Sequence, residues 1–466
     1  MRLRSFSVLG LSISAGLGAW ACTTSTAGLP DISFDAAVYT PPYDTGPVDL
    51  DGGFDGAPAV APLPISVRAV DYRGTPLKQS RVIFVPSTGA PAYERALDPQ
   101  GIATSDPTLT PISVLFTYNC DGTCATAIVG AEPGEFIEAF EDSASDPVQV
   151  TLELPPATDA GTVSQFFAYD GCYNSNNVYP GTQSLIYASS LCTKKGFSSF
   201  LLTANDANNN PLFFAARSAT ILDGGAGSLV VPTASWLPPS GNGTLSFAVK
   251  PGAEYSYVQR SVAFASAERV YATRVFDESA TNYQTTRQFA VPPAGMVDGI
   301  VYSNQLQGNV GGANRSFGSV GRVAVGSPVP AYDLTKALPS FGPVTIDTKG
   351  ATPAAVWPET GPLAGTLGYA NFYVQFQGDA GSTSAGVTAL FPHVAAGKLP
   401  LDFLRGVDSG AITNVSVNGV AFVETGALGA KALRAHPSRF VSFINGAYGI
   451  PGTYDLRYVV SEGNNK

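Results

Sequence analysis

Apolar residues in this chain recur at every second position. Ile65, Val67 and Ala69 are separated by Ser66 and Arg68, and Val148, Val150, Leu152 and Leu154 by Gln149, Thr151 and Glu153. A period of two sends successive side chains to opposite faces of an extended strand, so one face turns apolar and the other meets water. Farther along, Leu245, Phe247 and Val249 alternate with Ser246 and Lys250, and Ala370, Phe372, Val374 and Phe376 with Asn371, Tyr373 and Gln375. Tyr454, Leu456, Tyr458 and Val460 close the chain in the same way. The pattern predicts antiparallel sheets that bury one face. Asn418-Gly419, inside Val415 to Phe422, reads as a hairpin turn. Leu428 to Ala435 reads as a short helix stopped before Pro437, an ornament on the sandwich.

The 466 residues exceed what one hydrophobic core usually serves, about 250 to 300. The fold class expected is therefore all-β, with two or three antiparallel β-sandwich domains after a disordered N-terminal tether. The boundaries read from the chain are a signal peptide at 1–21, a tether at 22–62, a β-sandwich at 63–157, a β-rich domain with a disulfide at 160–295, and a C-terminal β-sandwich at 296–466. Hydrophobic residues make up 44% and charged ones 13%, enough apolar surface to offset the entropy of ordering most of the chain. Fifty Gly and 36 Pro suit many short strands joined by tight turns. A net charge of -10 and no run of Lys or Arg exclude the basic stripe that a nucleic-acid partner needs.

Arg2 and Arg4, followed by the apolar stretch Phe6 to Ala19, form a secretory signal too short to span a membrane. At Ala19-Trp20-Ala21-Cys22 the ordinary Ala-x-Ala cleavage pattern and a lipobox resembling that of bacterial lipoproteins cut at the same bond, although Ala19 stands where a lipobox usually has Leu. Cysteine arithmetic favours lipidation of Cys22: without it, Cys120, Cys124, Cys172 and Cys192 form two sequence-local pairs, as an oxidising compartment favours. The expected partner is a membrane, reached through the lipid anchor, and Thr23 after the cysteine resembles the outer-membrane sorting rule of enteric lipoproteins. The expected location is the cell envelope, as an outer-membrane lipoprotein on the periplasmic or the exposed face. Asp31, Asp35, Asp44, Asp49, Asp51 and Asp55, with no Lys or Arg before Pro62, make 22–62 a self-repelling tether. Asp49, Asp51 and Asp55 lack the Glu that an EF-hand places at its twelfth position, where Val60 stands.

Three pieces between residues 64 and 156 carry a family resemblance: Val70-Asp71-Tyr72-Arg73-Gly74-Thr75-Pro76-Leu77, Val82-Ile83-Phe84-Val85, and Leu97-Asp98-Pro99-Gln100-Gly101-Ile102-Ala103. They resemble the carboxypeptidase regulatory-like and related bacterial immunoglobulin-like domains. The resemblance implies turns at Asp-x-x-Gly, where Gly74 and Gly101 supply positive φ. It also implies a spacer or binding role without chemistry of its own. Asn119-Cys120-Asp121-Gly122-Thr123-Cys124 lies between two apolar runs, with Asp-Gly as the hairpin signal and the cysteines as its clip. A metal site there lacks the further Cys or His that tetrahedral coordination requires. Cys172 and Cys192 flank an Asn-rich loop, and closing it contributes on the order of 3 kcal/mol.

Catalytic signatures are scarce. The two histidines, His393 and His436, stand outside any paired spacing and read as loop residues. There is no GxSxG elbow and no phosphate loop; Gly426-Ala427-Leu428-Gly429-Ala430-Lys431 has the wrong spacing. Asp206, Asn208 and Asn210 have calcium-like spacing, but Pro211 and Arg217 break the pattern and favour a polar hairpin turn. Glu135, Glu138, Glu141 and Asp142 read as a solvated strand edge, although two carboxylates could serve a glycosidase. Trp236 and Trp357 sit beside Pro-rich loops and are the candidate ligand contacts for carbohydrate, against the alternative that they plug the core. Protein binding by strand addition suits the same architecture. No cofactor, metal or catalytic residue is assigned. The expected function is a binding, adhesion or display module of the cell envelope, with a polysaccharide or peptide hydrolase as the alternative.

Overall fold

The computed structural model describes residues 63–462 apart from gaps at 71–75, 78–79, 87–88, 110–111, 121, 141–147, 155–162, 172–174, 179–182, 189–196, 223–225, 250, 253, 267–268, 280–282, 311–312, 351, 364, 379–380, 395–396, 409, 427–428, 436 and 438–453. The signal segment and tether read from the sequence lie outside it, as do Gly74 and its turn. What is described is all-β, with a single short α-helix among the described residues.

A twelve-stranded sheet forms the body. Its order is Arg269–Ser279, Tyr255–Ser266, Gly299–Val310, Ala313–Ala324, Tyr454–Glu462, Ala411–Glu424, Thr366–Gly378, Gly381–Pro392, Gly122–Ala131, Ile112–Cys120, Arg81–Pro86 and Tyr93–Arg95. The ladder thus takes strands from each of the three sequence regions. It is antiparallel except at one junction, where Gly381–Pro392 runs parallel to Gly122–Ala131 with Ala385 opposite Thr123 and Leu390 opposite Ile128. Ser66–Val70 beside Phe136–Phe140 and Ala226–Val230 beside Val148–Glu153 are parallel as well. Purely antiparallel pairing was the expectation from alternation, but alternation reports which face is buried and carries no information on strand direction.

The run Val82-Ile83-Phe84-Val85 is apolar at every position because both faces of the sheet are covered there. Val82 and Phe84 join Val114, Phe116 and Ile128 in one core. That core lies under a three-stranded sheet of Ile102–Thr104, Ser66–Val70 and Phe136–Phe140, which contributes Val67, Ala69 and Ile137. Ile83 and Val85 point the other way, into a core with Leu115, Phe372, Phe376, Phe391 and Trp357. It is closed by the small sheet of Thr345–Asp347, Ala354–Val356 and Lys398–Pro400 and by the 3-10 turn Asp402–Gly406, through Ala355, Leu399 and Phe403. Fully burying each such side chain contributes roughly 1.5 to 3 kcal/mol.

Glycine inside these strands has a packing role. A Cβ on Gly368 would collide with the Phe391 ring, and one on Gly321 with Tyr302. In each pair the ring lies across its strand partner, covering the backbone that the glycine leaves bare.

Asn418-Gly419 does not turn the chain. Ala411–Glu424 runs straight through it, with Val417 opposite Phe372 and Gly419 opposite Asn371, so Asn418 is the extra residue of a β-bulge. From Gly419 onward the strand also pairs with Tyr454–Glu462. The insertion bends the strand, and a turn dipeptide in mid-strand is how that bend appears in the sequence. The Asp121-Gly122 signal does mark a hairpin, but a tighter one, since Gly122 already pairs with Cys120. The alternation at Leu245 ends early: Leu245 and Phe247 are buried, and Val249 is 44% exposed.

Residues 148–230 build a seven-stranded sheet in the order Ser175–Val178, Gln165–Tyr169, Phe197–Asn205, Pro211–Leu222, Ala226–Val230, Val148–Glu153 and Gln183–Ala188. It curls around Val150, Leu152, Phe166, Ile186, Phe200 and Leu202 until its two edge strands meet. Asn176 seals that seam. Its Nδ2 donates to the Tyr187 carbonyl at 3.0 Å, and its Oδ1 accepts from the Tyr187 amide at 3.2 Å, so the side-chain amide stands in for a strand backbone. The outer face of this curled sheet meets the end of the long sheet through Leu201, Phe214, Phe264 and Ile300, joined by Phe289 of a two-stranded sheet, Gly241–Ser246 and Thr286–Val291.

Turn chemistry follows the sequence where it is described. Gly101 has φ of 76°, and the Asp98 carboxylate accepts from the amides of Gln100 and Ile102. Asp206 accepts from the amides of Asn208 and Asn210 at 2.8 Å, in the hairpin between Phe197–Asn205 and Pro211–Leu222. Its carboxylate is committed to the turn.

Replacing Asn176 by Ala removes both seam bonds. A loss on the order of 1 to 2 kcal/mol is expected in urea unfolding, with faster hydrogen exchange at the Tyr187 amide than at the Leu202 amide inside the sheet.

Candidate functional site

Three groups of polar side chains stand out once the sheets are in place. The first lines an open cavity of about 340 Å³ between the curled sheet and the end of the long sheet. Ser199 and Leu201 lie at alternate positions of one strand, and Ala216 and Ser218 opposite them on the next, so the four share a face. Ser199 Oγ and Ser218 Oγ are 2.9 Å apart. Tyr271 and Ser266 come from the long sheet, and Met296 from the turn before its strand Gly299–Val310. Leu201 and Tyr271 are buried and belong to the same core, so the floor is apolar and the rim carries hydroxyls. Arg217 also lines the cavity, but its guanidinium already donates to the Ala216 carbonyl and to Ser235 Oγ.

The second group is an acid–base pair. His393 Nε2 lies 2.8 Å from Glu359 Oε1, and the same oxygen accepts from Trp357 Nε1 at 3.2 Å. The two side chains are 15% and 19% exposed, so solvent reaches them. Trp357 itself is 1% exposed and wedged against Phe391 and Phe422. It plugs the core, and its ring is closed to ligand. Trp236 is half-buried against Phe166, and its indole nitrogen is buried with no hydrogen-bond partner. Trp357 thus fills the core, whereas Trp236 keeps part of its surface open at the end of the turn Thr233–Ser235. His393, read from the sequence as an isolated loop residue, has a hydrogen-bonding partner 34 positions away. Spacing in sequence cannot reveal such a contact.

Ion pairs sealed in the interior make the third group. Arg260 is fully buried; it donates to Glu278, to the Gln284 carbonyl at 2.7 Å and to the Leu245 carbonyl at 3.3 Å, and its guanidinium lies over the Phe247 ring. Arg287 donates to the other oxygen of Glu278. Burial pushes the Glu278 carboxyl up, but the bonds from Arg287 and Arg260 and the Gln284 amide together outweigh it and hold the group below the ordinary carboxylate value. Elsewhere Arg434 Nε donates to Glu135 Oε1 at 3.0 Å, with both side chains at or below 3% exposure.

Glu135 and Glu138 are therefore not the solvated edge that their density in the sequence suggested. Glu135 is 1% exposed and Glu138 8%, the latter paired with Arg68. The helix Gly429–Ala435 is likewise more than an ornament, since it carries Arg434 and the buried Leu433 into the core under Phe136–Phe140. Glu141, Asp142, Asp49, Asp51, Asp55, His436, Cys22, Cys172 and Cys192 lie outside the described residues. So does the side chain of Cys120, while Cys124 is buried at 4% exposure. Among the described residues no group of three or more His, Cys, Asp and Glu could hold a metal ion.

Two outcomes follow. Arg434→Met leaves Glu135 buried without its partner and is expected to cost about 3 to 5 kcal/mol in chemical unfolding, more than the Arg434→Met/Glu135→Gln double variant. Glu278 has a lowered pKa when folded, so its contribution is complete above the ordinary value of 4.5 and is lost as pH falls through the folded value below it. Glu278→Gln should flatten the pH dependence of stability in that acid range, measured by thermal melts.

No protein-family model matches the chain, and no curated protein matches it. Among solved structures it is similar to the TIE protein of Bacillus anthracis, at 10% identity and a TM-score of 0.15, covering 52% of this chain and 45% of that one. A candidate adhesin from Bacteroides ovatus is similar at 11% identity and a TM-score of 0.11, with 54% of this chain and 74% of that one covered. The chain spans less than half the length of the first. Scores this low assign neither a shared fold nor an activity.

Proposed function

We propose that this chain is a cell-envelope lipoprotein, anchored through Cys22, whose β-sandwich body binds a ligand or displays a surface. The observation that carries the binding role is the open cavity with an apolar floor of Leu201 and Tyr271 and a rim of serine hydroxyls. Such a lining holds a ligand by contact and hydrogen bonds and supplies no acid or base. The carboxylates of Glu135 and Glu278 are already spent on buried arginines. On this reading residues 1–21 direct export, 22–62 form the tether, and 63–157 resemble the carboxypeptidase regulatory-like domains as a spacer.

The disulfides Cys120–Cys124 and Cys172–Cys192 belong to the same proposal. For Cys120 and Cys124 the support is the hairpin itself, in which Tyr118 pairs with Cys124 and Cys120 with Gly122. For Cys172 and Cys192 the support is sequence alone: they stand four positions before Asn176 and five after Tyr187, the two residues that bond across the seam. A staple there supports the closure that Asn176 makes.

The hydrolase reading has one specific observation in its favour, the solvent-reached pair of His393 and Glu359. General acid–base catalysis by such a pair supplies about 100- to 10,000-fold in rate.

Palmitate labelling of the exported protein should disappear in Cys22→Ser; label retained by that variant refutes anchoring at this residue. Alkylation should find four thiols only after reduction. On a panel of polysaccharides and peptides no turnover is expected, and turnover that collapses about 100-fold or more in Glu359→Gln would replace the binding role by the catalytic one.

A further inference from the structure

The cavity at Ser199 and Ser218 adjoins a second feature. Phe167 and Tyr169 lie on the neighbouring strand, and Tyr169 is directly opposite Leu201 of the cavity floor. Their rings are half-buried, with centroids 6.0 Å apart and planes 25° from parallel. The two rings stack on each other beside the cavity, whose own lining is Leu201, Tyr271 and Met296 with three serine hydroxyls.

That lining matches one class of ligand. A sugar ring presents C–H groups on its flat faces, which pack on aromatic and aliphatic surface, and hydroxyls around its edge, which exchange hydrogen bonds with hydroxyls. Serine both donates and accepts, so a rim of Ser199, Ser218 and Ser266 suits a partner whose hydroxyls do the same. The one cation at the rim, Arg217, is already engaged with the Ala216 carbonyl and Ser235. No acidic residue lines the cavity. Its volume of about 340 Å³ lies at the small end of the range for small-molecule sites, roughly 300 to 1,000 Å³, which fits one or two sugar units.

We propose that this groove is a binding site for a neutral saccharide, with Leu201, Tyr271 and Met296 as the floor and Ser199, Ser218 and Ser266 as the hydrogen-bonding rim. The inference rests on the binding role proposed above and names its ligand class and place. The tryptophans singled out from the sequence take no part in it.

The test is saturation-transfer NMR on the exported full chain with maltose, cellobiose, laminaribiose and chitobiose. At least one should receive saturation. Ser199→Leu and Ser218→Leu, which push an isobutyl group into the groove, should each weaken that binding at least tenfold, and Val230→Ser, at a residue 60% exposed on another strand, should not. Ser218 is exposed, so its variant keeps the fold and decides the matter if Ser199→Leu does not. Absence of transfer to all four disaccharides refutes the ligand class and leaves the lipid anchor to be judged by palmitate labelling. Binding that survives both leucine variants refutes the location while the binding role stands.

Discussion

The described structure depends on one long sheet that is covered on both sides over part of its length. Where Val82, Ile83, Phe84 and Val85 pass through it, each residue reaches a core, and two separate covers are needed to keep water from them. That demand explains the smaller pieces. The three-stranded sheet with Ser66–Val70, the short strands around Ala355 and the turn at Phe403 each form little hydrogen-bonded structure of their own. They hold their places because the sheet beneath them has apolar surface to hide. Arg434 and Glu135 belong to the same covering layer, as a buried ion pair that fixes where the helix Gly429–Ala435 comes to rest.

The curled sheet solves the opposite problem. It has one core, enclosed by its own curvature, and two edges that would otherwise present unpaired backbone groups to other chains. Asn176 offers its amide to Tyr187 and removes that hazard with a single side chain. The outer face left free by this closure can then meet the long sheet along Leu201 and Phe214, and the groove exists because the two curved surfaces part company at Ser199 and Ser218.

How much of this was legible in the sequence depended on range. Strands read from alternation at Ile65, Val150, Phe372 and Leu456 are there, because burial of one face is written into neighbouring residues. The turn at Gly101 and the Asp206 hairpin were readable for the same reason: their hydrogen bonds close within five residues. Asn418-Gly419 misled, since a bulge and a hairpin ask for the same residue types and differ only in whether the next strand is the chain's own continuation. The groove was invisible. Its serines and Tyr271 lie on strands far apart in the chain, and only the packing of two sheets brings them together. Trp357, a candidate ligand contact for its place beside Pro-rich loops, is core filler, while His393, read as a loop residue, meets Glu359 across the fold.

The parallel ladder between residues 123–128 and 385–390 fixes an order of events. Some 250 residues separate its two strands, so the entropy of closing that loop must be met before any of its bonds form. Chains governed by such distant pairings fold slowly, in milliseconds to seconds rather than microseconds. Until the segment near Leu390 is available, Gly122–Ala131 has an open flank, while its hairpin partner Ile112–Cys120 has Arg81–Pro86 nearby in the chain to pair with. In a chain built this way the flank of Gly122–Ala131 closes only when the later half arrives.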